Sequence, residues 1–88
     1  MKIKPEYTVR FDEDDICVVR LHPDGTEEFI SPLSASAAMA WEGFQRGMSR
    51  EAVIDAVANE FDGADPETVA RDLDALAAQL IALGFAEE

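Results

Sequence analysis

The chain has 88 residues, with 19 Asp and Glu against 7 Lys and Arg, a formal net charge of -12. That length makes one domain with one modest core, burying roughly 60–65% of its unfolded surface, and leaves no room for a second lobe or a deep cleft. The acidic residues run along the whole chain. They exclude the basic face that phosphate binding needs, and leave solubility or the steering of a basic partner segment as readings of the charge. Cys17 is the only cysteine, so neither an intramolecular disulfide nor a Cys-rich zinc site can form. No run approaches the roughly 18 apolar residues of a membrane span, and the start MKIKPEY has no apolar signal region. The expectation is a soluble protein of the cytoplasm.

The first element is a strand over 7–11, where Tyr7, Val9 and Phe11 alternate with Thr8 and Arg10. Asp12, Glu13, Asp14 and Asp15 make a polar turn. They lack the Gly bend, spaced ligands and distant Glu of a calcium loop. A second strand over 16–21 carries Cys17 as a small hydrophobe. His22, Pro23, Asp24 and Gly25 form the next turn, with Pro presetting φ and Gly accepting φ > 0. His22, the only histidine, reads as a turn residue. A third strand over 26–30 follows, with Phe29 as its apolar anchor, and Pro32 helps end it.

Ser34 is the N-cap of a first helix over 35–46, with Ala37, Ala38, Trp41 and Phe44 on one face and Gly47 as C-cap. On that face Trp41 reads as core. Gly43 inside the helix costs about 1 kcal/mol against Ala. Ser49 caps a second helix over 50–61, striped by Val53, Ile54, Val57 and Phe61. Asp62, Gly63 and Ala64 break it. Asp65 and Pro66 start a third helix over 66–83, with Asp as N-cap and Pro at the first helical position. Its stripe of Val69, Leu73, Leu76, Leu80 and Leu83 widens once Ala77 and Ile81 are counted. It is broad enough to cover a core and leave part of a groove. The first few residues and the last three are expected to be loose. Three antiparallel strands followed by three helices make an α+β fold on the plan of a small winged helix-turn-helix.

The catalytic inventory is nearly empty. There is no Gly-rich phosphate loop, CxxC, HExxH or GxSxG. Cys17 and His22 are an odd number of residues apart, so a straight strand points them to opposite faces. The expectation is a protein that is not an enzyme, with no cofactor and no metal.

The order of these elements, and Tyr7-x-Val9-Arg10, Leu33-Ser34-x-Ser36-Ala37-Ala38-x-x-Trp41-Glu42, Gly47, Ala52 to Phe61-Asp62, Asp65-Pro66-Glu67 and Val69 to Leu83-Gly84-Phe85, resemble the PqqD-like family. This domain is also called the RiPP recognition element, RiPPs being ribosomally made and post-translationally modified peptides. The family has Asn and Thr where Ser34 and Ser36 stand, and an aliphatic residue where Gly43 stands. The resemblance implies binding of the leader part of a precursor peptide and its presentation to a modifying enzyme, often a radical S-adenosylmethionine enzyme, or to a leader peptidase. The leader would add as a strand to the third strand and pack against the third helix. The residues this implies are Thr26, Glu27, Glu28, Phe29 and Ile30 on the strand and Val69, Arg71, Asp72, Leu73, Leu76 and Leu80 on the helix. Phe29, Val69, Leu73 and Leu76 would lie nearest the peptide, with Arg71 and Asp72 on the rim. Of Glu27 and Glu28, one would point along the groove.

Two other readings stand beside this one. An acidic protein–protein adaptor would not take a short unmodified peptide as ligand. A winged-helix regulator would need a basic recognition helix, where this chain has Asp65, Glu67, Asp72 and Asp74 against Arg71. No nucleic-acid or membrane partner is expected. An exposed edge strand leaves monomer and strand-mediated dimer both open.

Overall fold

The computed structural model describes residues 1–61 and 63–88; the expected helix break at Asp62 lies outside the described residues. The elements run β1 (Lys2–Ile3), β2 (Tyr7–Phe11), β3 (Ile16–Leu21), β4 (Glu27–Pro32), α1 (Ala35–Gln45), α2 (Arg50–Glu60), α3 (Pro66–Ala82) and β5 (Ala86–Glu87). β2, β3 and β4 form an antiparallel sheet in that order, and the three helices follow it, as the apolar periodicities predict. The helix bounds agree with expectation to within one residue. Ser34 and Ser49 cap α1 and α2 through their side chains, accepting from the Ala37 and Ala52 N–H groups. Asp65 stands at the N-cap of α3 but makes no such bond; its carboxylate accepts from the Thr68 hydroxyl at 3.2 Å instead.

Three expectations need correction. The termini are tied down: Lys2 pairs with Glu87 and Ile3 with Ala86, and Ile3 and Ala86 are buried. The apolar residue of each two-residue strand supplies enough burial to hold it. Leu83 is exposed rather than part of the α3 stripe, because the helix ends at Ala82 and Gly84 turns the chain with φ +83. Pro32 does not stop the third strand of the sheet at Ile30. Pairing continues through Ser31 with Val18 and Pro32 with Cys17. Pro is tolerated there because β4 is an edge strand and the proline nitrogen faces outward, as the ladder below establishes.

The core has two parts. Val9 and Val18 from the inner sheet face join Ala38, Trp41 and Leu80, with Ile30 and Leu76 packed against them. Val53, Ile54 and Val57 of α2 join Ala40 and Leu73 between the helices. Trp41 is core, as its helical spacing predicts, and packs against Phe85. Gly43 explains itself by proximity, since a Cβ there would stand 2.9 Å from Val53 Cγ2.

Candidate functional site: an open strand edge beside a cavity

The ladder between β3 and β4 fixes which main-chain groups of β4 face outward. The His22 N–H donates to the Thr26 carbonyl, and the Leu33 N–H to the Ile16 carbonyl, both at 2.9 Å. In an antiparallel ladder these bonds flank widely spaced pairs. Leu21–Glu27, Val19–Phe29 and Cys17–Pro32 are therefore the pairs whose N–H and C=O groups point away from each other. The register skips Ile30, which is a β-bulge between Phe29 and Ser31. Glu27 and Phe29 present their main-chain groups to the free edge, and Glu28 turns its own toward β3.

The opposite edge of the sheet is partly covered. Tyr7 is likewise an outward-facing position of β2, because the Leu21 N–H donates to the Glu6 carbonyl. The Tyr7 N–H donates to the Lys4 carbonyl at 3.1 Å, and its carbonyl accepts from the Gln45 side chain at 2.6 Å. Among the described residues, the outward groups of Glu27 and Phe29 have no such partners.

Side chains of paired residues share a sheet face. Phe29 therefore lies with Val19, Leu21 and Glu27 on the face away from the helices, and it is 62% exposed. Ile30, the bulge residue, packs inward on the core instead. Glu28 lies opposite Arg20 on the helix-facing side and meets His22 Nε2 at 2.9 Å. Glu27 is bound to Arg10, whose hydrogen bonds hold its carboxyl below the usual range. Thr26 sits in the turn, and its N–H and hydroxyl both reach Asp24, which lowers that carboxyl in turn.

On α3 the expected residues divide. Leu73 and Leu80 are buried in the core, Val69 and Leu76 are half-buried, and Arg71 and Asp72 are exposed. Val69, Asp72, Leu73 and Leu76 line a cavity of about 570 Å³, while Arg71 and Leu80 do not. The other wall comes from Ser34, the cap of α1, and Ser36, Ala37 and Ala40 within it, with Val57 of α2 and its C-cap Phe61 at the end. The sequence reading missed this α1 wall. Its signal was the run of small residues from Ser34 to Ala38, which leaves space that larger side chains would fill. Ser34 follows β4 by two residues, which brings one end of the cavity lining close to the Pro32 end of the free edge.

Among the described residues no group of three His, Cys, Asp or Glu stands together as a metal site, and no helix is long and apolar enough to cross a membrane. What the geometry offers is an unpaired edge and an apolar hollow with acidic residues at its rim.

Fold and site together define a small α+β domain, a three-stranded antiparallel sheet followed by three helices. Residues 17–86 match the family model described as coenzyme PQQ synthesis protein D (PqqD), and the chain belongs to that family. Two solved structures are similar over nearly the whole chain. "TbiB1 in Complex with the TbiA(beta) Leader Peptide" shares 26% identity with a TM-score of 0.74, covering 99% of this chain and 95% of the other. "Lasso peptide synthetase B1 complexed with the leader peptide" shares the fold at 22% identity with a TM-score of 0.73, covering 99% and 96%. No curated protein sequence matches the chain.

Proposed function

We propose that residues 1–88 act as one non-catalytic recognition domain in the cytoplasm. It binds the leader segment of a ribosomally synthesised precursor peptide and presents it to a modifying enzyme, such as a radical S-adenosylmethionine enzyme. The observation that carries the reading is the unpaired main chain of Glu27 and Phe29 beside the α1–α3 cavity. An edge strand accepts peptides of many sequences through main-chain bonds, and adjacent pockets then select among them. The family supports this, as does the TbiB1 structure, which is a complex with a leader peptide. The charge of -12 weighs against a nucleic-acid ligand.

The test is an NMR titration of the labelled chain with the leader half of any short precursor reading frame found beside its gene. Shifts concentrated at 26–32 and 69–76 are expected. A folded protein showing no shifts, alone or with the modifying enzyme present, would favour the adaptor reading instead.

A further inference from the structure

The free edge is short, and it closes at one end. Glu27 and Phe29 are two residues apart, the spacing that an added strand needs. The next outward residue, Pro32, is three residues further because of the bulge at Ile30, which breaks that spacing. Pro32 has no N–H to offer, and its carbonyl already accepts from the Ser31 hydroxyl at 3.0 Å. A regular added strand therefore finds both donors and acceptors at Glu27 and Phe29, and beyond them only the Pro32 carbonyl, out of step and already shared with the Ser31 hydroxyl. The cavity begins at this closed end, with Ser34 and Ser36 in its lining. From Phe29 to Ser34 is five residues, a span that about five residues of extended peptide cross at roughly 3.3 Å each.

The cavity lining also carries a charge preference. Its floor is Ala37, Ala40, Val69, Leu73 and Leu76, and its charged residues are Asp65 and Asp72, with no Lys or Arg. Asp65 is engaged by Thr68, whereas Asp72 makes no hydrogen bond or ion pair among the described residues.

Resting on the leader-binding reading above, we propose that the peptide is read in two parts. A short strand of the leader pairs with Glu27 and Phe29 alone and stops at the bulge. The segment beyond leaves strand geometry and seats an apolar side chain in the α1–α3 cavity, with a neighbouring Lys or Arg at Asp72. The cavity, rather than a long ladder, then selects the sequence, because the two paired residues offer four main-chain bonds that any peptide can make.

Fluorescence anisotropy with the labelled leader of the neighbouring precursor tests this on the full chain. Phe29→Pro removes only an outward N–H, as Pro32 does naturally, and should lower affinity about tenfold with helical circular dichroism intact. Ala37→Leu should lower affinity by a similar factor by filling the cavity. Asp72→Asn should weaken binding and flatten its salt dependence. A peptide cut short of the cavity segment should become insensitive to Ala37→Leu while remaining sensitive to Phe29→Pro. An N-methyl scan of the peptide leaves the protein untouched, and covers the case in which Phe29→Pro unfolds. It should show alternate sensitive amides over no more than about five residues.

Alternation continuing well past that length would overturn the bulge as terminus. Continued sensitivity of the shortened peptide to Ala37→Leu, or full binding by all three folded variants, would overturn the two-part reading while leaving leader binding in place. No binding of the leader to the wild-type chain would overturn both.

Discussion

Arg10 and Glu27 meet across the outer face of the sheet, over Val19. Arg10 Nε lies 2.9 Å and 3.0 Å from the two Glu27 carboxylate oxygens. Arg10 stands opposite Cys17 and Glu27 opposite Leu21, so the line joining them crosses β3 at Val19. Val19 is buried yet belongs to neither core cluster. On this face the helices do not reach Val19, whose cross-strand neighbours are Thr8 and Phe29 and over which the Arg10–Glu27 pair passes.

Thermal unfolding should separate cover from charge at this site. Arg10→Ala uncovers Val19 and removes the pair, and should lower Tm. Arg10→Met keeps the aliphatic stem and should recover part of the loss. Equal Tm values for both variants and wild type would show that Val19 needs no cover.

Gly43→Ala should destabilise the protein despite the better helix propensity of alanine. The added methyl would meet Val53 Cγ2 at 2.9 Å, and a helical valine has little rotamer freedom with which to yield. Overpacking of this kind costs about 1–3 kcal/mol, more than the gain of roughly 1 kcal/mol from replacing glycine. Denaturant unfolding of Gly43→Ala and of Gly43→Ala with Val53→Ala measures it. The second change relieves the clash, so the two should combine to less than the sum of their separate costs.

Leu73 and Phe29 should behave oppositely on substitution. Leu73 is 4% exposed and sits between α2 and α3, so Leu73→Ala should cost about 2–5 kcal/mol. Phe29→Glu should leave helical circular dichroism unchanged, because its ring projects from the outer face. Loss of helical signal in Phe29→Glu would return that residue to the core.

Acid should erase the contribution of the link between α2 and α3. Arg50 holds Asp74 by two hydrogen bonds of 2.8 Å, and these keep the Asp74 carboxyl below its ordinary value. A group whose pKa is lowered on folding contributes stability that is present above its unfolded pKa and lost as pH falls through the folded one. The Tm gap between wild type and Arg50→Met should therefore persist at pH 6–7 and close as pH falls below about 4. A gap unchanged at low pH would assign the role of Arg50 to the packing of its stem.

The element order and the core were legible because they depend on local period and caps. Trp41 reads as core from its spacing, and Ser34 and Ser49 read as caps from their position before apolar runs. The terminal pairing of Ile3 with Ala86 was not legible, because a two-residue strand has no period and its partner lies at the other end of the chain. The candidate site was legible in part. Alternation gave the third strand of the sheet but not the bulge at Ile30, which exchanges the expected roles of Phe29 and Ile30. A bulge depends on cross-strand register, and no single-strand pattern encodes it. On α3 the sequence offers Val69, Leu73 and Leu76 as nearest the peptide, with Leu80 also on the groove wall. Only packing against α1 and the sheet separates buried Leu73 and Leu80 from half-buried Val69 and Leu76.

The glutamates of β4 also bear on what this edge does when no peptide is present. Two copies meeting antiparallel through Glu27 and Phe29 have three registers in which outward residues face one another. The first sets Glu27, already held by Arg10, against its copy, and the second sets Glu28 against Glu28, like charges directly opposite. The third sets Phe29 against Phe29, but soon runs the bulge of each chain into the turn of the other. Added to a charge of -12 on each copy, these conflicts should guard the molecule against sticking to itself at neutral pH. Acidification disarms that guard, so a fall in pH should be where the empty protein first begins to aggregate.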